Sequence, residues 1–275
     1  MLIPRPLVSI IVTTRNSSRT LEACLRSVRA QTHPRIELIV VDNASSDSSA
    51  AIARAHADQL ITAGPERCAQ RNIGVVASAG EYVLIVDSDM VLAPDVVAAC
   101  LRRCGGGNAV AIDEISFGEG FWSRCKALER SCYRGDSVVS AARFFRRSAL
   151  LAVGGYDESL IATEDWDVSM RVVGDAVLLF AESAIRHDEG RLRLRELFLK
   201  KLYYGRSSPR FVRKHGVKAL RCLNPVRGSL VRNAGHIMSS PLLGGGLVLM
   251  KAVELVGVAL GVVVSPWLSS GAVYR

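Results

Sequence analysis

An α/β fold with a mostly parallel central sheet flanked by helices, followed by a helical, hydrophobic C-terminal appendage, is predicted by three features of the 275-residue sequence. From Leu7 to about Phe180, short β-branched runs alternate with helical stretches. Those runs are largely apolar, as expected of strands covered on both faces. Finally, Leu242 to Val264 contains only Lys251 and Glu254 as charged residues.

Taken in order, Leu7 to Thr13 reads as a first strand. Ser18 reads as the N-cap of a helix with Leu21, Leu25 and Val28 on one face. Ile36 to Val41 is a second strand, and Asp47 is placed to cap a helix running through His56. Leu60-Ile61 forms a brief third strand. A helix over Cys68–Ala79 then leads to the strand Tyr82 to Val86. Pro94 opens another helix, which Gly105-Gly106-Gly107 stops. By sequence alone the chain divides at about 190. Residues 1–190 are expected to form one α/β domain with halves at about 1–112 and about 113–190. Residues 191–240 form a basic helical segment, and residues 241–275 a membrane-associating helix and tail.

The formal charge is +9, but it is unevenly placed. Between Arg186 and Arg232 there are 14 Lys or Arg against 3 Asp or Glu. This block could meet phosphates of a nucleic acid, an acidic lipid surface or a substrate. The seven cysteines include no C-x-x-C pair and are odd in number, so no zinc knuckle or disulfide framework is indicated. Cys100 and Cys104 read as small buried apolar residues. The short apolar run Leu7–Val12 reads as a strand, not a signal peptide.

In open sheets of this kind ligands sit beyond the carboxyl ends of the strands. Three polar stretches stand there: Thr13-Thr14-Arg15-Asn16, Asp42-Asn43 and Asp87-Ser88-Asp89. Two carboxylates at i and i+2 on a strand end project to one side. Asp87 and Asp89 can therefore share a hard cation, Mn²⁺ or Mg²⁺, and a diphosphate with it. The bland alternative is a solvated turn with an Asp capping the next helix. Glu164-Asp165-Trp166-Asp167 follows Gly154-Gly155-Tyr156-Asp157. Its carboxylates either serve an acceptor hydroxyl as base or complement a helix dipole. Trp166 either joins the core or stacks on a sugar ring. His187, within Arg186-His187-Asp188-Glu189, reads on its own as a surface histidine in a charged loop.

Six motifs in sequence closely resemble the family-2 glycosyltransferases of the GT-A fold. They are Val8 to Asn16, Val40 to Asp47, Arg71-Asn72-Ile73-Gly74, Asp87-Ser88-Asp89, Gly154 to Glu158 and Glu164-Asp165. The resemblance spans roughly residues 7–190, and by it the 1–190 domain would be catalytic, with its nucleotide-binding half at about 1–112 and its acceptor half at about 113–190. It implies an inverting transfer of a sugar from a nucleotide-diphospho-sugar onto a hydroxyl of a glycan or lipid-linked acceptor. It also implies that Thr13, Thr14, Arg15, Asn16, Asp42, Arg71, Asp87 and Ser88 face the nucleotide and donor. Asp89 and His187 would hold Mn²⁺ or Mg²⁺, and Asp165 would be the general base. Glu164 and Trp166 would meet the acceptor. Position 14 is Thr where many relatives carry a larger residue, which bears on the nucleobase contact.

The segment Lys200 to Ser208 is basic and aromatic together, and it would either cover a phosphate or form a solvated amphipathic helix. Residues 242–264 would extend about 34 Å as a helix, enough to cross a bilayer. At helical spacing Lys251, Glu254, Gly257 and Gly261 share one stripe, where another helix could pack closely. A span, an interfacial helix, or a buried helix of a homodimer would all fit this pattern. Together with the basic block and the reduced thiols, it favours attachment to the cytoplasmic face of a membrane. A nucleic-acid binder would leave the acidic motifs unexplained, so no nucleic acid is expected. A sugar nucleotidyltransferase would need a Gly-rich loop after its first strand, and a catalytically inactive nucleotide-binding protein would lack a base.

Overall fold

A computed structural model describes residues 5–224 and 227–264; the expected tail 265–275 lies outside the described residues. Strands β1 (Val8–Thr14), β2 (Ile36–Asp42), β3 (Gln59–Thr62) and β4 (Tyr82–Asp87) are interleaved with helices α1 (Leu21–Arg29), α2 (Ser49–His56) and α3 (Arg67–Ala77). There follow β5 (Met90–Leu92), α4 (Val96–Cys104), β6 (Ala109–Phe117), α5 (Gly120–Ser131), β7 (Ala142–Arg146), α6 (Arg147–Ala152), α7 (Glu164–Val173) and β8 (Leu179–Asp188). Six helices follow among the described residues: α8 (Leu194–Gly205), α9 (Ser208–His215), α10 (Val217–Leu223), α11 (Gly228–Arg232), α12 (Ala234–Met238) and α13 (Pro241–Val264).

The chain forms two compact units. The first comprises residues 1–115, 139–158 and 164–188. Its sheet runs β3-β2-β1-β4-β7-β6-β8-β5. The first four strands are parallel, as the largely apolar runs of β1, β2 and β4 predict. Beyond β4 the observed pairs are antiparallel, and these strands mix apolar with charged residues, as in Arg143-Phe144-Phe145-Arg146.

Both faces of the parallel half are buried. In β1 the side chains alternate: Val8, Ile10 and Val12 pack toward Leu21, Leu25 and Val28 of α1, while Ile11 joins Cys68 and Val75 of α3 on the other face. Gly74 of α3 lies so near Ile11 that a Cβ there would collide with it. All seven cysteines are free and buried. One capping expectation is corrected. Helix α1 begins at Leu21, and Ser18 instead donates its backbone N–H to Asp47 at 3.0 Å. Asp47 also accepts from Ser49 N at the start of α2, so one carboxylate serves both loops.

The second unit comprises residues 116–138, 159–163 and 189–275. The stretch 116–138 therefore groups with the C-terminal helices, and not with the expected acceptor half. The reason is packing. Gly246 of α13 sits against Phe121 and Cys125 of α5, where a Cβ would come within 2.6 Å of both. Gly257 and Gly261 sit against the backbone of α8 at Phe198 and Leu202. The stripe of small residues foreseen on α13 is thus the face that packs.

Candidate active site

The strand register of the first unit assembles the site. Thr13 stands beside Asp87 in the neighbouring strand, and Thr14 stands beside Asp42. The polar ends of β1, β2 and β4 are therefore adjacent, as the carboxyl-end rule for open sheets requires. Buried Gln70 of α3 donates to the carbonyls of Thr14 and Val41 at 3.1 and 2.7 Å, satisfying two strand-end acceptors. The loops after β1 and β2 are stitched together. Asn16 Oδ1 accepts from Ser46 N at 2.8 Å, and Asp42 accepts from Ser45 N at 3.0 Å. Asn16 and Ala44 have φ of 49° and 47°, left-handed values that Asn tolerates more readily than Ala. Arg15 is exposed. Ser88 Oγ donates to Ser17 Oγ at 2.9 Å.

Arg71 is fully buried and joins distant motifs. Its guanidinium reaches Asp87 at 2.9 Å, Asp165 at 2.8 Å and Glu164 at 3.4 Å, with Tyr156 beneath it at 5.1 Å. The neighbouring Asn72 fixes the glycine turn before α7. It accepts from Tyr156 N at 2.7 Å and donates to Tyr156 O and Glu158, each at 2.9 Å. Gly155, at φ 70°, leaves the room that Asn72 occupies. The Arg71-Asn72-Ile73-Gly74 run is therefore a bracket holding α7, β4 and the Gly154-Gly155 turn in one arrangement.

The acids differ in their surroundings. Burial opposes ionisation of Asp87, yet Arg71 and Arg143 overcome it and hold its carboxyl well below the usual range. Burial, and then the adjacent Asp165, push Glu164 up to about 7. Glu164 has 3% of its side chain accessible, whereas Asp165 has 30%. Asp167 is buried and pairs with Arg171 at 2.6 Å, so it belongs to the structure of α7. Trp166 donates its indole N–H to Val139 O at 2.9 Å.

His187 lies within β8, opposite Met90 of β5, so the surface-loop reading is corrected. The charged run Arg186 to Asp188 concealed a strand whose side chains alternate. His187 Nε2 lies 3.3 Å from Asp89, and Nδ1 lies 3.3 Å from Glu114. Burial disfavours its charge, but the facing carboxylates of Asp89 and Glu114 prevail and raise it to about 10. Glu114 is in turn held by Arg143 at 2.8 Å, and Arg143 reaches back to Asp87 at 3.3 Å. Contacts run from Asp87 through Arg143, Glu114 and His187 to Asp89, and the backbone from Asp89 back to Asp87 closes the ring.

This ring suits a hard divalent cation. Asp89 Oδ1 is buried without a hydrogen-bond partner, and an imidazole faces the same carboxylate. Among the described residues no group of three or more His, Cys, Asp or Glu is arranged to hold a metal alone. Mg²⁺-type sites need no more than this, since such ions keep waters and substrate phosphates as ligands.

Glu114 and Arg143 were not singled out from the sequence. For Glu114 a signal existed: Asp113-Glu114 breaks an apolar run at Ala109–Ile112, as Asp87 ends β4. Arg143 carried none.

An α/β domain with polar strand ends, a D-x-D beside a histidine and an acidic helix start defines the GT-A class of nucleotide-sugar folds. A mannosyltransferase from Pyrobaculum calidifontis, solved in complex with GDP-Man and Mn²⁺, shares that fold at a TM-score of 0.64 and 17% identity, over 97% of this chain and 88% of that one. S. aureus TarS 1-349, solved with UDP-GlcNAc, gives a TM-score of 0.54 at 16% identity, over 95% and 92%. Residues 9–154 match glycosyl transferase family 2, and the chain belongs to that family.

Among relatives, the pre-mycofactocin glycosyltransferase of Mycobacterium tuberculosis is 27% identical over 272 residues, 90% of this chain and 55% of that protein. The PGL/p-HBAD biosynthesis glycosyltransferase of Mycobacterium bovis is 29% identical over 189 residues, 63% of this chain and 72% of that protein. The putative glycosyltransferase EpsH of Bacillus subtilis is 34% identical over 106 residues, 36% of this chain and 31% of that protein. The chain thus spans about a third of EpsH and about half of the mycobacterial pre-mycofactocin enzyme.

Proposed function

We propose that the protein is an inverting, metal-assisted glycosyltransferase that moves a sugar from a nucleoside-diphospho-sugar onto a hydroxyl of a glycan or lipid-linked acceptor. The observation that carries this reading is the Arg71 bridge, which brings the partly exposed carboxylate of Asp165 beside the strand-end acid Asp87. Base and donor site then lie within reach of one pair of reacting atoms.

Thr13, Thr14 and Asp42, adjacent by register, would take the nucleoside, with Arg15, Asn16 and Ser88 at the rim of the donor site. Arg71 positions Asp165, and Asp165 takes the acceptor proton as the acceptor oxygen bonds to the anomeric carbon. The bond to the diphosphate breaks in the same displacement. Glu164, raised to about 7, has the pKa of a base near neutrality. It is buried between Arg67 and Arg71, so Asp165 is the carboxylate an acceptor can reach. Glu164 is assigned to fixing the two arginines and not to touching the acceptor; Trp166 keeps the acceptor role.

Asp89 and His187 would hold Mn²⁺ or Mg²⁺, supported by the pyrobaculum neighbour solved with GDP-Man and Mn²⁺. Such a cation supplies positive charge to the departing diphosphate. Glu114 fixes the His187 ring, the usual work of a partner behind a metal ligand. A cytoplasmic-side location is supported by seven free, buried cysteines.

The test is nucleoside-diphosphate release from a panel of nucleotide-sugars, with and without EDTA. Asp165→Asn should lower turnover by about 10²–10⁴-fold while diphosphate affinity persists. Near-normal turnover would remove Asp165 from the base role. Equal diphosphate affinity with and without EDTA would overturn the metal.

A further inference from the structure

Helix α13 has two unlike faces. One is packed within the second unit: Gly246 against α5, Gly257 and Gly261 against α8, and Glu254 among Lys126, Lys201 and Lys251. Lys251 also reaches Glu129 at 2.9 Å. The other face is exposed and wholly apolar: Leu242, Val248, Leu249, Leu255, Val256, Leu260 and Val263 are each 45–77% accessible. With Gly245, Ala252 and Ala259 between them, they make an unbroken stripe at helical spacing, about 32 Å long. The helix is long and apolar enough to cross a membrane, but only 28% of its most apolar stretch is buried. A core helix is thereby excluded.

A transmembrane span conflicts with the packed face. Spanning would draw Lys251 and Glu254 out of their ion pairs and strip the glycine stripe from α8. Helix α8 could not accompany it, since it carries Arg195, Glu196, Lys200 and Lys201, each costly at bilayer depth. A second copy of the chain is a poor occupant for a different reason. The second unit holds 19 Lys or Arg against 6 Asp or Glu by sequence, so two such surfaces repel. Helix α10 carries the same mixture as an interfacial anchor, with Val217 and Leu220 exposed beside exposed Lys218 and Arg221. An apolar helix face on a unit of net positive charge matches an anionic lipid surface.

We infer that the second unit is a monotopic docking module: α13 lies in the plane of an anionic bilayer surface, its Leu/Val stripe among the acyl chains and its Gly/Lys/Glu face kept on α5 and α8. This inference is independent of the proposed transfer chemistry, because lipid binding needs no donor, acceptor or base.

The test is flotation of the full-length protein with vesicles of phosphatidylcholine alone or with roughly one-third phosphatidylglycerol. Binding should favour the anionic vesicles at about 0.1 M salt and weaken sharply at about 1 M, where the Debye length falls from about 10 to about 3 Å. Leu255→Asp with Val256→Asp, on the exposed face, should abolish flotation with the helical circular dichroism unchanged. Lys218→Ala and Arg221→Ala should each cost about fivefold in affinity. Asp165→Asn should float like the wild type, which separates this outcome from failure of the transferase reading. Alkaline carbonate should release the protein from isolated cell membranes. Resistance to carbonate, with a C-terminal tag on the far side of the membrane from the N-terminus, would establish a span and overturn the inference. A stable dimer broken by the same Asp pair, with no vesicle binding, would overturn it in favour of a second copy.

Discussion

Each unit holds a buried ion cluster, and the two clusters are built to opposite ends. In the first, Arg67, Arg71 and Arg143 meet four carboxylates, those of Asp87, Glu114, Glu164 and Asp165, and His187 joins Glu114 to a fifth, that of Asp89. With His187 protonated the carboxylates outnumber the cations by one, and Asp165 and Asp89 remain partly open to solvent. In the second, Lys126, Lys201 and Lys251 enclose Glu129 and Glu254, which are almost wholly buried. Cations are in excess there and no carboxylate is left to receive a ligand. An acid-rich, partly open cluster can take a cation and a proton; a closed one with surplus lysines can only fasten helices. A buried charge cluster is therefore a site or a staple according to the sign of its excess and its access to water.

Three experiments sharpen that contrast, and the largest effect belongs to the first unit. Arg71→Met leaves three carboxylates facing one another with their shared cation gone, so a loss of about 3–5 kcal/mol is expected. It would be read as a lowered denaturation midpoint. An unchanged midpoint would mean that the bracket does not hold α7 to β4.

The second experiment concerns the staple. Burial lowers Lys201 to about 8 despite the attraction of Glu254. Its folded pKa lies below its unfolded value of about 10.4, so its charge is disfavoured on folding. Stability from this group is fullest above the unfolded pKa and is lost as pH falls through about 8. Lys201→Met should therefore stabilise the protein at pH 7 relative to wild type, by at most about 3 kcal/mol, and less because 27% of the side chain is accessible. The gain should vanish near pH 11. A variant less stable than wild type at pH 7 would make Lys201 an essential member of the cluster.

The smallest effect tests the carboxylate behind the histidine. Glu114→Gln keeps shape and removes charge, and partners of metal ligands are typically worth 10–100-fold in metal affinity. Titration of Mn²⁺ in the presence of a nucleoside diphosphate should show that loss with little change in melting temperature. Unchanged Mn²⁺ affinity would leave Glu114 as a partner of Arg143 alone.

Much of the molecule could be read from sequence because the deciding information was local. The parallel strands β1, β2 and β4 show as largely apolar runs rich in β-branched residues, as burial on both faces favours. The strand-end acids show because polarity returns abruptly where a strand leaves the core. Likewise, the stripe through Lys251, Glu254, Gly257 and Gly261 follows from helical periodicity alone. The same holds for the Lys251–Glu254 pair, now seen at 2.6 Å.

What tertiary structure decided were pairings between residues far apart in the chain. Nothing near Arg71 announces Glu164 and Asp165 as its partners, more than ninety positions away. Nor does the charged run around His187 announce a strand that places it on Asp89 and Glu114. The stretch 116–138 carries no mark of its membership in the second unit, because that depends on where Gly246 and Glu254 come to rest against α5. Periodicity records which face of an element is buried, but not against what. Long-range partners are fixed only when the whole sheet and its helices close together, so the sequence alone names the acids and the glycine stripe, and the fold alone makes one a site and the other a seam.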